Sequence, residues 1–351
     1  MPRLTHCFLW LALLSASLAK PIVWIYTDMS DSSIVGKNHM GTLNDPDDIS
    51  AMAGYLLLAN EFDTRGIVVA STHRAEHANT PDQAAWADRT FGKAYRAEVA
   101  NLNRKLGGGF PADISFIQSC IKPSAERYSP RKTYSSLETY HSVRALYDEA
   151  VRESSGERIH VLCWGSLTEA AILVNHCQAT GRPEVLKKLL FISHWTNSPL
   201  HQGSLEHPEN VANCREDAAA CAYMKDMAAA GRIDFRECGA IGQHGIVSGA
   251  PRGESYYKQF KVSRLGRLFA EGKYVQEGVD HSDSATYWVL LGTFGVSLAD
   301  IPSDGSNNAK RELANERKFF ATSPALHDEL LRRAQAAAGP DDAAKTLATQ
   351  N

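Results

Sequence analysis

The sequence predicts an α/β protein whose mainly parallel, Rossmann-like sheet carries helices on both faces. Two observations point to it. Short, continuously apolar strand segments alternate with helical ones, the pattern of a sheet buried on both sides. Residues with chemical character, Asp28, Trp164-Gly165 and His194-Trp195, fall at the carboxyl ends of predicted strands. In open α/β sheets that edge is where ligands bind.

Each element follows from local pattern. Residues 22–27 (Ile-Val-Trp-Ile-Tyr-Thr) read as a strand, β-branched and aromatic on both faces. Residues 48–60 form an apolar helical run behind an acidic start, the end of a helix that favours negative charge. Residues 62–71 contain the next strand, and 83–106 are helical in character. Gly107-Gly108-Gly109 marks a loop. A helix over 142–153 leads to a buried strand at 160–164. Gly165-Ser166-Leu167-Thr168 then opens a helix over 169–178. A strand at 189–193 and a helix over 217–230 continue the alternation. Residues 334–351 are Ala-rich and polar, broken by Gly339-Pro340, and read as a terminal tail outside a domain spanning 20–333.

The start of the chain sets the compartment. Met1-Pro2-Arg3 is positive, and residues 7–16 are apolar but short of the about 20 residues that span a bilayer. Ser17-Leu18-Ala19 supplies small residues for cleavage, so residues 1–19 read as a secretory signal peptide and the mature protein as secreted or periplasmic. No later stretch is apolar enough to span a membrane. Six cysteines follow the signal: Cys120, Cys163, Cys177, Cys214, Cys221 and Cys238. An even number in an exported protein permits disulfides, in a pairing that spacing does not decide. No CxxC pair suggests zinc. With 44% hydrophobic residues and a net charge of −3, the chain is an ordinary globular one without the basic footprint of a nucleic-acid binder.

The acidic run Asn44-Asp45-Pro46-Asp47-Asp48 places three carboxylates at the mouth of a predicted helix. Their mutual repulsion needs positive charge nearby. A helix N-terminus supplies part of it, and Asp is also a favoured cap. A hard cation supplies more, since oxygen clusters select Ca²⁺ and Mg²⁺. Both readings stand. Asp28 adds a fourth acid at the end of the first strand.

Thr27-Asp28, followed by Asp45-Pro46-Asp47-Asp48, resembles the Asp-rich signature of the nucleoside hydrolase (inosine–uridine-preferring) superfamily, closest to a secreted nucleoside-hydrolase-like branch. Three further pieces agree in order. Residues 165–171 (Gly-Ser-Leu-Thr-Glu-Ala-Ala) resemble the family's GPLTNLA turn, and the segment from Asn213 to Ala220 its NIxxDPEAA segment. His281-Ser282-Asp283-Ser284 falls where the family has a late His-Asp-Pro. The resemblance spans about residues 21 to 300.

It implies a nucleoside-hydrolase-like fold and a Ca²⁺ held by Asp28, Asp48, the main-chain oxygen of Thr168 and the carboxylate of Asp283. Asp47 then meets the ribose hydroxyls or lies just behind the metal. Asn213 binds the sugar, though as a residue it serves equally as a helix cap. The implied reaction is cleavage by water of the N-glycosidic bond of a nucleoside or related riboside. The metal lowers the pKa of a coordinated water and Asp28 takes its proton. The sugar passes through an oxocarbenium-like state. The base leaves more easily if protonated or stacked. His194, Trp195, His281 and Trp164 are the candidates, with His281 as the acid and Trp195 as a stacking wall. By family analogy the protein is a homo-oligomer that takes a small nucleoside or sugar.

The chain also departs from the family. A polar, Gly-containing insert, residues 29–44, separates Asp28 from Asp45 where the family has a short turn, leaving both acids as alternatives for the main ligand position. Val211 replaces a glutamate, Ser193-His194 a glycine pair, and Glu169 an asparagine. These changes surround the sugar and leaving group more than the metal. The alternative is a secreted carbohydrate-binding protein that keeps the Ca²⁺ site without turnover and stacks aromatics such as Trp195 on a sugar face. A third reading is a metal-dependent hydrolase of another glycosidic bond.

Overall fold

The computed structural model describes residues 19–31, 33, 46–73, 82–121, 127–201, 207, 210, 211 and 213–339. The first half alternates strands and helices as β1 (Ile22–Tyr26), α1 (Pro46–Leu57), β2 (Asp63–Val69), α2 (Gln83–Ala87), α3 (Lys93–Lys105), β3 (Ile117–Gln118), α4 (His141–Arg152) and β4 (Ile159–Cys163). It continues with α5 (Thr168–Ala179), α6 (Pro183–Leu186), β5 (Leu189–Ser193), α7 (Ala218–Ala229) and β6 (Asp234–Glu237). The last part is helical: α8 (Glu254–Lys258), α9 (Arg264–Ala270), a short hairpin of β7 (Tyr274–Val275) and β8 (Gly278–Val279), then α10 (Ala285–Leu291) and α11 (Ala309–Ala337).

Six strands form one sheet in the order β3-β2-β1-β4-β5-β6, and every pair is parallel. The predicted α/β class and its parallel sheet are therefore correct. Alternation along each strand divides the core. Val23 and Ile25 join Leu162, Leu190 and Ile192 in a cluster with α1, α9 and α11. Ile22, Trp24 and Tyr26 join Val161 and Phe191 in a second cluster with α4, α5 and α7. Apolar runs were needed in these strands because both faces are buried.

Sequence pattern did not disclose β3, which is two residues long, or β6, whose sequence Asp-Phe-Arg-Glu shows only two core-facing positions. The tail boundary also moves. α11 continues to Ala337, with Ala334 and Ala337 fully buried, and Asn101 donates to the Ala337 carbonyl at 3.1 Å. The alanines expected to lead a tail are helix formers with a packed face. Arg333, on the same helix, donates to Leu57 O at 3.2 Å and Asn60 Oδ1 at 2.6 Å, a cation at the carboxyl end of α1. Residues 1–18, most of the insert and residues 340–351 lie outside the described residues. No described helix is long and apolar enough to cross a membrane.

Cys214 and Cys221 form a disulfide at the start of α7, while Cys120, Cys163, Cys177 and Cys238 are free. Cys163 is buried in β4, as its apolar surroundings imply.

One buried ion pair joins α7 to β6. The Lys225 ammonium meets the Glu237 carboxylate and lies 4.5 Å from the centre of the Phe235 ring, with both charged residues almost wholly buried. Burial pushes the lysine down from its ordinary value, and Glu237 opposes the shift. Removing one member of such a pair leaves an uncompensated charge. Lys225→Met should therefore cost about 3–5 kcal/mol in urea unfolding, far more than the lost methylene packing alone. A loss under 1 kcal/mol would show that the carboxylate finds another partner.

Candidate functional site

The strand order reverses between β1 and β4, so the chain leaves these neighbours in opposite directions and opens a crevice at their carboxyl ends. The ladder runs into the crevice: Trp164 N donates to Tyr26 O at 2.9 Å and Thr27 N to Val68 O at 3.0 Å. Asp28 is the next residue, and only 2% of it is exposed. It fits because position 165 is glycine. A Cβ there would lie 2.8 Å from both Cβ and Cγ of Asp28.

Three more acids arrive from other segments. Asp48 lies in the first turn of α1, buried, and accepts from the Thr27 hydroxyl. Beside it, Asp47 is more open. It accepts from Ser282 Oγ at 3.0 Å and lies 3.8 Å from the Lys273 ammonium. Asp283 is 2% exposed, with its carboxylate 3.8 Å from His194 Nε2. Its carbonyl accepts from Thr286 Oγ1 at 2.8 Å, which in turn accepts from Trp164 Nε1 at 2.8 Å. Oxygen donors of this kind have the chemistry a hard divalent cation selects. Among the described residues, no three His, Cys, Asp or Glu side chains form a ready-made metal group. Asp45, the remaining acid of the run, lies outside the described residues.

The other expected site residues have well-defined settings. Thr168 starts α5. Its hydroxyl donates to Asp217 Oδ2 at 2.6 Å, with Ser166 Oγ at 2.6 Å and His73 Nε2 at 2.8 Å beside it. Asn213 does not cap a helix, since Asp217 caps α7. Its amide donates to Trp164 O at 2.6 Å and His194 O at 2.9 Å, tying together the exits of β4 and β5. His194 is buried, whereas Trp195 is partly open and holds a positive φ of 51°. Their rings meet edge to face at 5.7 Å.

His281 does not suit the role of leaving-group acid. It is fully buried, and its Nε2 lies 3.0 Å from Nε2 of His327. His327 Nδ1 is bonded to Ser323 O at 2.8 Å, so that nitrogen carries the proton. His327 Nε2 must then accept, and His281 Nε2–H is the donor. Burial, reinforced by His327, holds His281 well below the ordinary histidine range. A neutral imidazole whose N–H is already engaged has no proton to deliver at neutral pH. Spacing alone could not reveal this, because the partner lies on α11.

Several polar groups escaped the sequence reading. Lys273 bridges Asp280, at 2.8 Å, and Asp47, placing a fixed cation beside the acidic run. Glu169 is fully buried and accepts from Ser119 Oγ at 3.0 Å and from the hydroxyls of Ser71 and Ser142. Burial raises its pKa and these hydroxyls oppose the rise. Val211, in the family's glutamate position, is a core residue.

The fold is nucleoside-hydrolase-like. Residues 40–195 match the family model described as cellulose-binding Sde182, nucleoside hydrolase-like domain. No curated protein matches the chain. Among solved structures it is similar to a nucleoside hydrolase-related hypothetical protein from Saccharophagus degradans that is associated with carbohydrate metabolism. Identity is 15%, coverage 92% of this chain and 72% of that one, and the TM-score 0.61. The inosine-uridine preferring nucleoside hydrolase of Bacillus anthracis is 13% identical, with 91% of this chain and 100% of that one covered and a TM-score of 0.47. The match of residues 40–195 and the fold shared with the Saccharophagus degradans protein bear out the resemblance to nucleoside hydrolases.

Two predictions follow from this geometry. Gly165→Ala should displace Asp28 and cost about 1–3 kcal/mol by overpacking; a melting temperature equal to wild type would show that the crevice has room to spare. His327 is held at about 4 by burial, against an unfolded histidine near 6.5. A depressed histidine stabilises the fold above its unfolded value and loses that contribution as pH falls. Between pH 7 and pH 5 the wild type should lose about 2 kcal/mol from this source, and His327→Gln should show a correspondingly shallower pH dependence in thermal melts.

Proposed function

We propose that the protein is a secreted or periplasmic Ca²⁺-dependent hydrolase that cleaves the N-glycosidic bond of a nucleoside or related riboside with water. The observation that carries this reading is the setting of three buried acids from distant segments around the exits of β1 and β4: Asp28 packs on Gly165, Asp48 accepts from the Thr27 hydroxyl, and the Asp283 carbonyl is tied through Thr286 to Trp164. Carboxylate oxygens of this kind are the donors a hard divalent cation selects. In this reading Asp28, Asp48, Asp283 and the Thr168 main-chain oxygen hold Ca²⁺, which when bound supplies Lewis acidity toward water and the sugar diol. Asp28 accepts the water's proton. Asp47, partly open and already oriented by Ser282, receives the sugar hydroxyls. Asn213 keeps the β4 and β5 exits in register, so His194 and Trp195 flank the sugar and leaving group. With His281 excluded as the acid, departure of the base relies on stacking against Trp195 and on solvent for its proton. The Cys214–Cys221 disulfide supports an oxidising compartment.

The second reading, a carbohydrate-binding protein without turnover, draws on the matched family, described as cellulose-binding. One assay separates the two. The protein is incubated with a panel of nucleosides and p-nitrophenyl riboside, with and without EDTA, alongside binding measurements with cellobiose. Free sugar whose release EDTA abolishes supports the hydrolase. Saturable cellobiose binding with no product supports the binding protein and rejects turnover.

Added Ca²⁺ at a hundredfold excess over Kd should stabilise a metal-free preparation by about 3 kcal/mol, read as a rise in melting temperature. An unchanged melt would remove the metal from the proposal. Asp28→Asn keeps the shape and loses the charge. It should lower turnover about 10²–10⁴-fold with the fold intact. Retained activity in a folded Asp28→Asn protein would point to Asp45 instead.

A further inference from the structure

Two acids of α11 that the proposed reaction does not use hold the loops leaving β5 and β6. Glu312 is buried and accepts from Ser198 Oγ at 2.6 Å and Leu200 N at 3.3 Å in the first loop, and from Ala240 N at 2.8 Å in the second. Glu316, one helical turn further along the same face, accepts from His201 Nε2 at 2.6 Å. The His201 ring lies flat on that of His244, with centroids 3.5 Å apart and planes within 3°. His244 meets Trp195 edge to face at 6.1 Å. Trp195 N donates to Gly239 O at 3.1 Å, which joins the two loops directly.

We infer that Glu312 and Glu316 are positioning residues that fix Trp195 in its left-handed conformation as a wall of the site. A bulky residue keeps a positive φ only where its surroundings over-determine it. Here the strand ladder ends at Ser193 and Glu237, and beyond it both loops are fastened to the same stretch of α11. Glu312 fixes the backbone of both loops, at Leu200 in the first and Ala240 in the second. Glu316 acts through the stacked imidazoles, which close the outer flank of Trp195 while His194 closes the inner one. The effect on ligand binding rests on the proposed reading of Trp195 as facing the ligand; the clamp itself does not.

The test uses the full chain and the indole N–H resonance of Trp195, assigned by its loss in Trp195→Phe. Glu316→Ala and His201→Ala should each shift this resonance, and the double variant should shift it no further, because they break one contact. Glu316→Gln should return it toward wild type, since an amide oxygen still accepts from His201. Ser198→Ala, which removes one donor to Glu312 at small risk to folding, should move it as well. In the same samples the Kd for inosine should rise about three- to tenfold in Glu316→Ala and His201→Ala, the effect of one lost ring contact, and recover in Glu316→Gln. A Trp195 resonance unmoved in Glu316→Ala and His201→Ala overturns the clamp, whatever the protein hydrolyses. A moved resonance with unchanged inosine affinity overturns the role in the ligand wall. If wild type binds no inosine, the proposed substrate falls, and the resonance alone decides the clamp.

Discussion

The structure depends on satisfying carboxyl groups that are buried at one edge of the sheet. Asp28, Asp48 and Asp283 are each almost fully buried at one edge of the sheet, and a buried carboxyl group is costly unless its surroundings supply hydrogen-bond donors or positive potential. The chain supplies it in layers. Asp47 and Asp48 lie in the first turn of α1, where the helix dipole favours negative charge. The Thr27 hydroxyl donates to Asp48, and Lys273 bridges Asp47 and Asp280. These devices orient the acids, and in the proposed function a divalent cation completes the compensation.

The same solution recurs along the carboxyl edge. Glu169 sits among serine hydroxyls at the start of α5. Glu237, at the end of β6, combines Lys225 with the Gly239 amide at 2.8 Å. Glu312 reaches in from α11 to cap two loop amides. Polar groups thus concentrate where strands hand over to loops, while the middle of the sheet is apolar on both faces. The arrangement follows from connectivity. A parallel sheet exposes every strand's last carbonyls and the first N–H groups of the following helices at one edge. Donors able to satisfy buried acids are therefore dense there and sparse elsewhere.

This explains which features were legible in the sequence. The central strands and their helices were readable because two-sided burial demands unbroken apolar runs, as in residues 22–26 and 189–193. Asp28, Asp47 and Asp48 were readable because acids crowded at an element boundary conflict with local electrostatics and so demand an explanation. β6 was not, since an edge strand of four residues needs few apolar positions. Nor were the contacts made by α11. Glu312, Glu316 and His327 look like ordinary residues of an amphipathic helix, and only the fold brings them 46 to more than 100 positions back along the chain to His281, His201 and Ser198. The burial of His281 is the plainest case: a histidine beside an acid reads as an acid–base residue until a second histidine is found against it.

The departures from the family pattern acquire a physical sense on this frame. Val211, in place of a glutamate, is packed in the core. Ser193, in place of a glycine, donates within the Glu237 network, and Glu169, in place of an asparagine, is enclosed by hydroxyls instead of facing the crevice. Asp28, Asp48 and Asp283 keep the identities that the family resemblance expects. The loops after β5 and β6 carry Trp195, His244 and His201, with α11 as their support. A scaffold that keeps its acids while changing its loops retains the electrostatics of the acids and alters what fits beside them. In the proposed function, ligand choice is accordingly to be sought in the loops after β5 and β6, and the chemistry at the exits of β1 and β4.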